Sequence, residues 1–139
     1  MDSVPTPSST FGIELIRDYV LMDLLGTDYR HVIYWAGKRL AREFPVLSAE
    51  EAPPFFHEAG WGHLELKKQK GNSLSFLLTP PESTRLDRPA GYFQLEAGFL
   101  AEQFSRLNGC VAEGYAELNK THVHILIEID PKDPIERSL

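Results

Sequence analysis

Five histidines, one cysteine and twenty carboxylates are the groups in this 139-residue chain that could do chemistry. Their spacing offers little of it. His31, His57, His63, His122 and His124 include no ligand pair of the His-Glu-x-x-His kind. His122 and His124 do share one face of a strand pattern, about 7 Å apart at the strand rise. A zinc ion there would need a further ligand, such as His63 or Glu128. The plainer reading is a solvated strand face. Glu50, Glu51, Glu96 and Glu102 could exchange protons, but no nucleophile is spaced to work with them. There is no Ser-His-Asp order, no nucleophile elbow and no phosphate loop. Gly60-Trp61-Gly62 is too short for a nucleotide fingerprint and reads as a turn into a strand. Glu96 stands in an apolar helix; buried, it would need a partner such as a backbone amide. The expectation is no catalytic set, no metal and no cofactor.

What remains is recognition. His31, Lys38, Arg39 and Arg42 fall on the outward face of one predicted helix, with Trp35 among them. Cations around an exposed aromatic suit an anionic ligand or a partner surface, with Trp35 as anchor. A solvated face is the plainer reading, with Arg42 favoured near the helix C-terminus by the dipole. The net charge of −6 argues against nucleic acid. Cys110 stands alone, so no intrachain disulfide is possible. The first ten residues, MDSVPTPSST, lack the basic and apolar regions of a signal peptide. No apolar run approaches the roughly 20 residues of a membrane span. The expected location is the cytoplasm.

The positioning elements follow from periodicity. Residues 28–44, DYRHVIYWAGKRLAREF, form a helix whose apolar face holds Tyr29, Ile33, Ala36, Gly37, Leu40 and Phe44. Gly37 costs such a helix about 1 kcal/mol relative to Ala, so a neighbouring backbone should press against it. Before it, 11–25 is a helix apolar nearly all round, broken only by Glu14, Arg17, Asp18 and Asp23. A helix of this kind needs cover on two sides, from the fold or from a second subunit. Gly26 stops it. Ser48-Ala-Glu-Glu51 resembles a capping box opening a short third helix that carries Pro53 and Pro54 in its first turns. Residues 63–70 and 73–79 pair as a hairpin around Gly71-Asn72. A long connection, 80–91, leads to a helix over 92–107. Its core stripe is Phe93, Ala97, Leu100, Phe104 and Leu107, and Leu95 and Phe99 lie on another face. Strands over 111–118 and 122–129 complete the chain. The fold class is α+β: a four-stranded antiparallel sheet of two hairpins covered by helices, in the order α-α-α-β-β-α-β-β. One domain spans 10–130, between tails at 1–9 and 131–139.

The stretches YWAGKRLAREFP (34–45), HEAGWG (57–62) and FQLEAGFLAEQ (93–103) resemble the YslB family of small bacterial proteins. More distantly the pattern is similar to the 4-vinyl reductase domain and to Golgi transport-particle subunits. It consists of a glycine in a helix after an aromatic pair, a glycine-rich turn into a hairpin, and a Glu-x-Gly-Phe helix. Here these are Gly37, Gly60 with Gly62, and Glu96, Gly98 and Phe99. The resemblance implies a binding or assembly domain, often dimeric through its first helices. Relatives with cysteine metal ligands find no counterpart in the lone Cys110. The leading expectation is a non-enzymatic binding or scaffolding domain that forms a homodimer, its face built from Phe11, Leu15, Leu95 and Phe99. The alternative is a sensor of a hydrophobic or anionic small molecule held under the 80–91 connection.

Overall fold

The computed structural model describes residues 9–81, 88–89 and 91–135. Most of the expected N-terminal tail, at 1–8, the last four residues of the C-terminal one, at 136–139, and the centre of the 80–91 connection lie outside these residues. Helix α1 (Ser9–Glu14) runs into a π-helical stretch (Leu15–Leu21) and then α2 (Met22–Leu25). A 3-10 turn at Gly26–Asp28 leads to α3 (Tyr29–Glu43), and another at Ala49–Glu51 leads to α4 (Ala52–Glu58). Then come β1 (His63–Lys70), β2 (Ser73–Thr79), α5 (Gln94–Asn108), β3 (Cys110–Asn119) and β4 (His122–Pro134). The fold is α+β, with the element order read from the sequence.

The four strands form one antiparallel sheet in the order β1-β2-β4-β3. Alternation puts Leu74, Phe76 and Leu78 of β2 and Val123, Ile125, Ile127 and Ile129 of β4 on the covered face. Helix α5 lies on that face, and α3 lies on α5. The layering explains why α5 has no solvent side over most of its length: Gln94 through Ala101 are all buried. Leu95 and Phe99 are therefore core residues and not an outer face. Phe99 is fully buried, its ring stacked 4.5 Å from Phe55 and edge-on to Phe56 and Trp61. Leu107, expected in the core, is exposed at the helix end.

Two glycines let α3 and α5 touch along their backbones. A methyl group on Gly37 would overlap the Leu95 carbonyl, and one on Gly98 would overlap the Tyr34 carbonyl. Gly60 and Gly62 turn the chain into β1 with φ of 76° and 121°, values that L side chains avoid. Side chains secure the layers. Tyr34 accepts from the Gly114 amide and donates to Glu113, and Gln94 accepts from the Ala116 amide. These contacts occupy outward amides of the edge strand β3, which would otherwise invite pairing. The buried Gln103 amide donates to Phe44 O and accepts from Val46 N, fixing the exit from α3.

Other local expectations shift. Ser48 makes no side-chain cap; Glu51 instead accepts from the Leu47 amide at 3.1 Å. Leu66 is exposed beside a register shift between Leu66 and Lys68. Strand β4 continues past Ile129 into the segment expected as a tail, because Cys110 pairs with Pro134 across a second register shift and Ile135 N donates to Gly109 O. No helix among the described residues is long and apolar enough to cross a membrane.

Gly37→Ala and Gly98→Ala should each destabilise the domain by about 1–3 kcal/mol through overpacking, although Ala is the better helix former. Thermal melts should fall by several degrees. An unchanged melt would place the α3–α5 contact elsewhere.

Candidate functional site

The opening helical run, 9–25, is where the site begins. A uniform α-helix was expected here, but its central turns are π-helical. The widened turns keep Ile13, Arg17 and Leu21 on the inward side, and Arg17 is the one buried residue of the π stretch. Its guanidinium meets Glu96 of α5 in a bidentate pair at 2.8 and 3.1 Å and donates to Tyr92 O at 2.7 Å. It also lies 4.5 Å above the Tyr92 ring and 5.9 Å from that of Phe93. Glu96 is 1% exposed, so this ion pair is removed from water. Its partner is Arg17, not the backbone amide the sequence suggested. The next residue, Asp18, accepts from the Tyr92 hydroxyl and pairs with Arg88.

Burial opposes the charge on Arg17, but the Glu96 carboxylate outweighs it and holds the guanidinium pKa above its ordinary value. Burial pushes the Tyr92 and Tyr29 phenols up, with Arg17 pulling the other way. The Tyr34 phenol also rises, from burial and from the Glu113 carboxylate it donates to. Each of these groups is committed to an internal pairing.

The clamp holds the run at its middle, and α2 packs onto α3 at its end. Around the clamp, with Arg17 itself in the lining, the run borders an open groove of about 760 Å³. Gly12, Ile13, Ile16 and Leu21 form one wall, and Ile33, Ala36 and Leu40 of α3 the other. Leu95 and Trp61 lie at the base, with Trp35, Arg39 and Glu43 on the α3 rim. Much of the run is open to solvent: Phe11 is 59% exposed, Tyr19 64% and Leu24 74%, with Leu15 and Val20 also exposed, and Ile16 exposed on the groove wall. This apolar concavity lies beside the opening run; another, of about 440 Å³, is lined by Arg88, Pro89 and Gly91 of the 80–91 connection together with Arg30, Tyr92 and Tyr115.

The basic face predicted on α3 is divided by the structure. Trp35 is exposed, and the Arg39 guanidinium lies 5.3 Å over its ring. Lys38 sits 4.9 Å from the Tyr34 ring, and Arg42 pairs with Glu102 at 3.1 Å. Trp35 and Arg39 border the groove; His31, Lys38 and Arg42 do not line it. Of the proposed dimer face, Phe11 and Leu15 are exposed while Leu95 and Phe99 are interior. His63 lies on β1, which β2 separates from the strand carrying His122 and His124. Among the described residues, no three His, Cys, Asp or Glu side chains converge as a metal site requires. Sequence reasoning missed Arg17. The available signal was one lone base in a greasy run and one lone acid in FQLEAGFLA.

Removing one member of the clamp leaves a buried charge unpaired. Arg17→Met and Glu96→Leu should each cost about 3–5 kcal/mol, and the double variant much less than their sum, because an apolar pair needs no solvation. Urea unfolding of the three variants checks this; additive losses would mean that the pair carries no coupling.

A family model described as a protein of unknown function, DUF2507, matches residues 10–130. The uncharacterized protein YslB of Bacillus subtilis (strain 168) is 46% identical over 131 residues, covering 91% of this chain and 88% of that one. A vinyl-4-reductase family protein from Methanocaldococcus jannaschii superposes with a TM-score of 0.54 at 18% identity, over 93% of this chain and 85% of that one. A mutant Fe(II) unliganded H-NOX protein from K. algicida gives 0.55 at 14% identity, over 93% and 77%. At such identities the likeness is one of fold.

Proposed function

The chain belongs to the DUF2507 family, and on that footing we propose that it is a non-catalytic binding domain that associates with a second copy of itself through its opening helical run. The observation that carries this reading is the exposure of six large apolar side chains on that run: Phe11, Leu15, Ile16, Tyr19, Val20 and Leu24. Monomers seldom leave contiguous apolar surface of this kind in water. With the exposed Val32 and Trp35 of α3, and on the order of 100 Å² each, the patch approaches the roughly 800 Å² per partner of a standard interface. The groups with displaced pKa values are held in internal pairings, which favours binding over catalysis.

Sedimentation at micromolar concentration should give a dimer. Tyr19→Glu and Leu24→Glu should each shift it to monomer with the far-UV circular dichroism unchanged, since both residues are exposed, and the melt should lose its dependence on protein concentration. A wild-type monomer would sink the reading.

A second reading rests on the groove itself. At about 760 Å³ it falls within the roughly 300–1,000 Å³ of small-molecule sites. Its lining contains no histidine, cysteine or tyrosine. The apolar walls suit an organic molecule. Trp35 and Trp61 border the groove, so a bromine-substituted acyl chain that binds should quench their fluorescence saturably. Leu40→Glu should abolish the quenching. No quenching of the wild type would remove this reading.

A further inference from the structure

We infer that the dimer forms by reciprocal exchange: the outer face of each copy's opening run lies in the groove of the other, between that copy's run and α3. The inference rests on the self-association reading and names the surfaces that meet.

The argument is one of shape and of what would otherwise be left behind. The run is a ridge, because the Arg17 clamp holds it off the body, and the groove lies directly beside it. Ridge and groove share one chemistry: Tyr19 and Leu24 on the exposed ridge, Ile16, Ala36 and Leu40 within the groove. A two-fold axis brings the same patch of both copies together, so a ridge beside a matching groove is self-complementary and the contact closes at two chains. Pairing the outer faces alone would leave two grooves of about 760 Å³ each at the interface. Their apolar walls would then stay in water, and burying such surface is favourable by roughly 25 cal/mol per Å². Exchange fills both grooves and assembles two runs and two α3 helices as a four-helix layer.

The second copy is favoured as occupant by area. The exposed apolar patch is on the order of the roughly 800 Å² that each partner contributes to a stable interface, and a small molecule in the groove would leave Tyr19 and Leu24 in water.

Complementation between two defective chains tests the exchange. Ala36→Arg places a long charged side chain in the groove, and Tyr19→Glu spoils the ridge. Each variant alone should dimerise at least about tenfold more weakly than wild type. An equimolar mixture should form heterodimer, because the intact ridge of the Ala36→Arg chain fits the intact groove of the Tyr19→Glu chain. Thermal melts of both variants confirm folding, and Ala36→Ser is the control that leaves the groove open. A wild-type dimer that Tyr19→Glu dissociates but Ala36→Arg does not would overturn exchange while leaving self-association standing. A wild-type monomer would remove both. Native mass spectrometry showing a small molecule retained on a dimer insensitive to Ala36→Arg would give the groove to that molecule and overturn the inference.

Discussion

A single buried ion pair, Arg17 with Glu96, determines how the opening run, 9–25, relates to the rest. Apolar packing holds the sheet, α5 and α3 together, but it reaches the opening run only near its end. At the middle of the run the attachment is electrostatic and directional. A guanidinium bridges from one helix to a carboxylate and a carbonyl at the start of another. A contact of that length keeps the two helices apart where leucine against leucine would draw them together. The groove is therefore a consequence of the clamp: the run is fixed without being packed. The π-helical turns belong to the same device, since they turn Arg17 inward.

The body beneath is built the opposite way. Gly37 and Gly98 bring α3 and α5 into backbone contact, and Gly114 admits the Ala97 carbonyl where α5 crosses β3. Close contacts on this scale leave α5 enclosed from Gln94 to Ala101. They also fix the floor and the α3 wall of the groove, because Leu95 and Ala36 are presented from helices that cannot shift without a clash. A rigid body beside a tethered ridge is an arrangement suited to recognition.

The surplus apolar surface then has a physical origin. The sheet and α5 cover one another, and α3 covers α5; nothing among the described residues is left to cover the outside of 9–25. Hydrophobic area on that run exceeds what the fold can bury, while the two terminal nitrogens of its single inward base are held by Glu96 and the Tyr92 carbonyl. Association or ligand capture would each relieve this imbalance.

The sequence by itself determined the element order, the antiparallel hairpins and the alternation of β4, because helix and strand periods are local properties of the chain. It also marked Gly37 as a point of close approach and the run 11–25 as too apolar for one covered face. Tertiary structure alone decided the rest. Leu95 and Phe99 are interior because α5 is sandwiched, and no helical wheel can show how many sides of a helix will be covered. Strand β4 outlasts Pro131 because an edge register, not local propensity, sets its end. Arg17 and Glu96 meet across 79 positions of chain, and pairing at that separation is fixed by packing rather than by spacing.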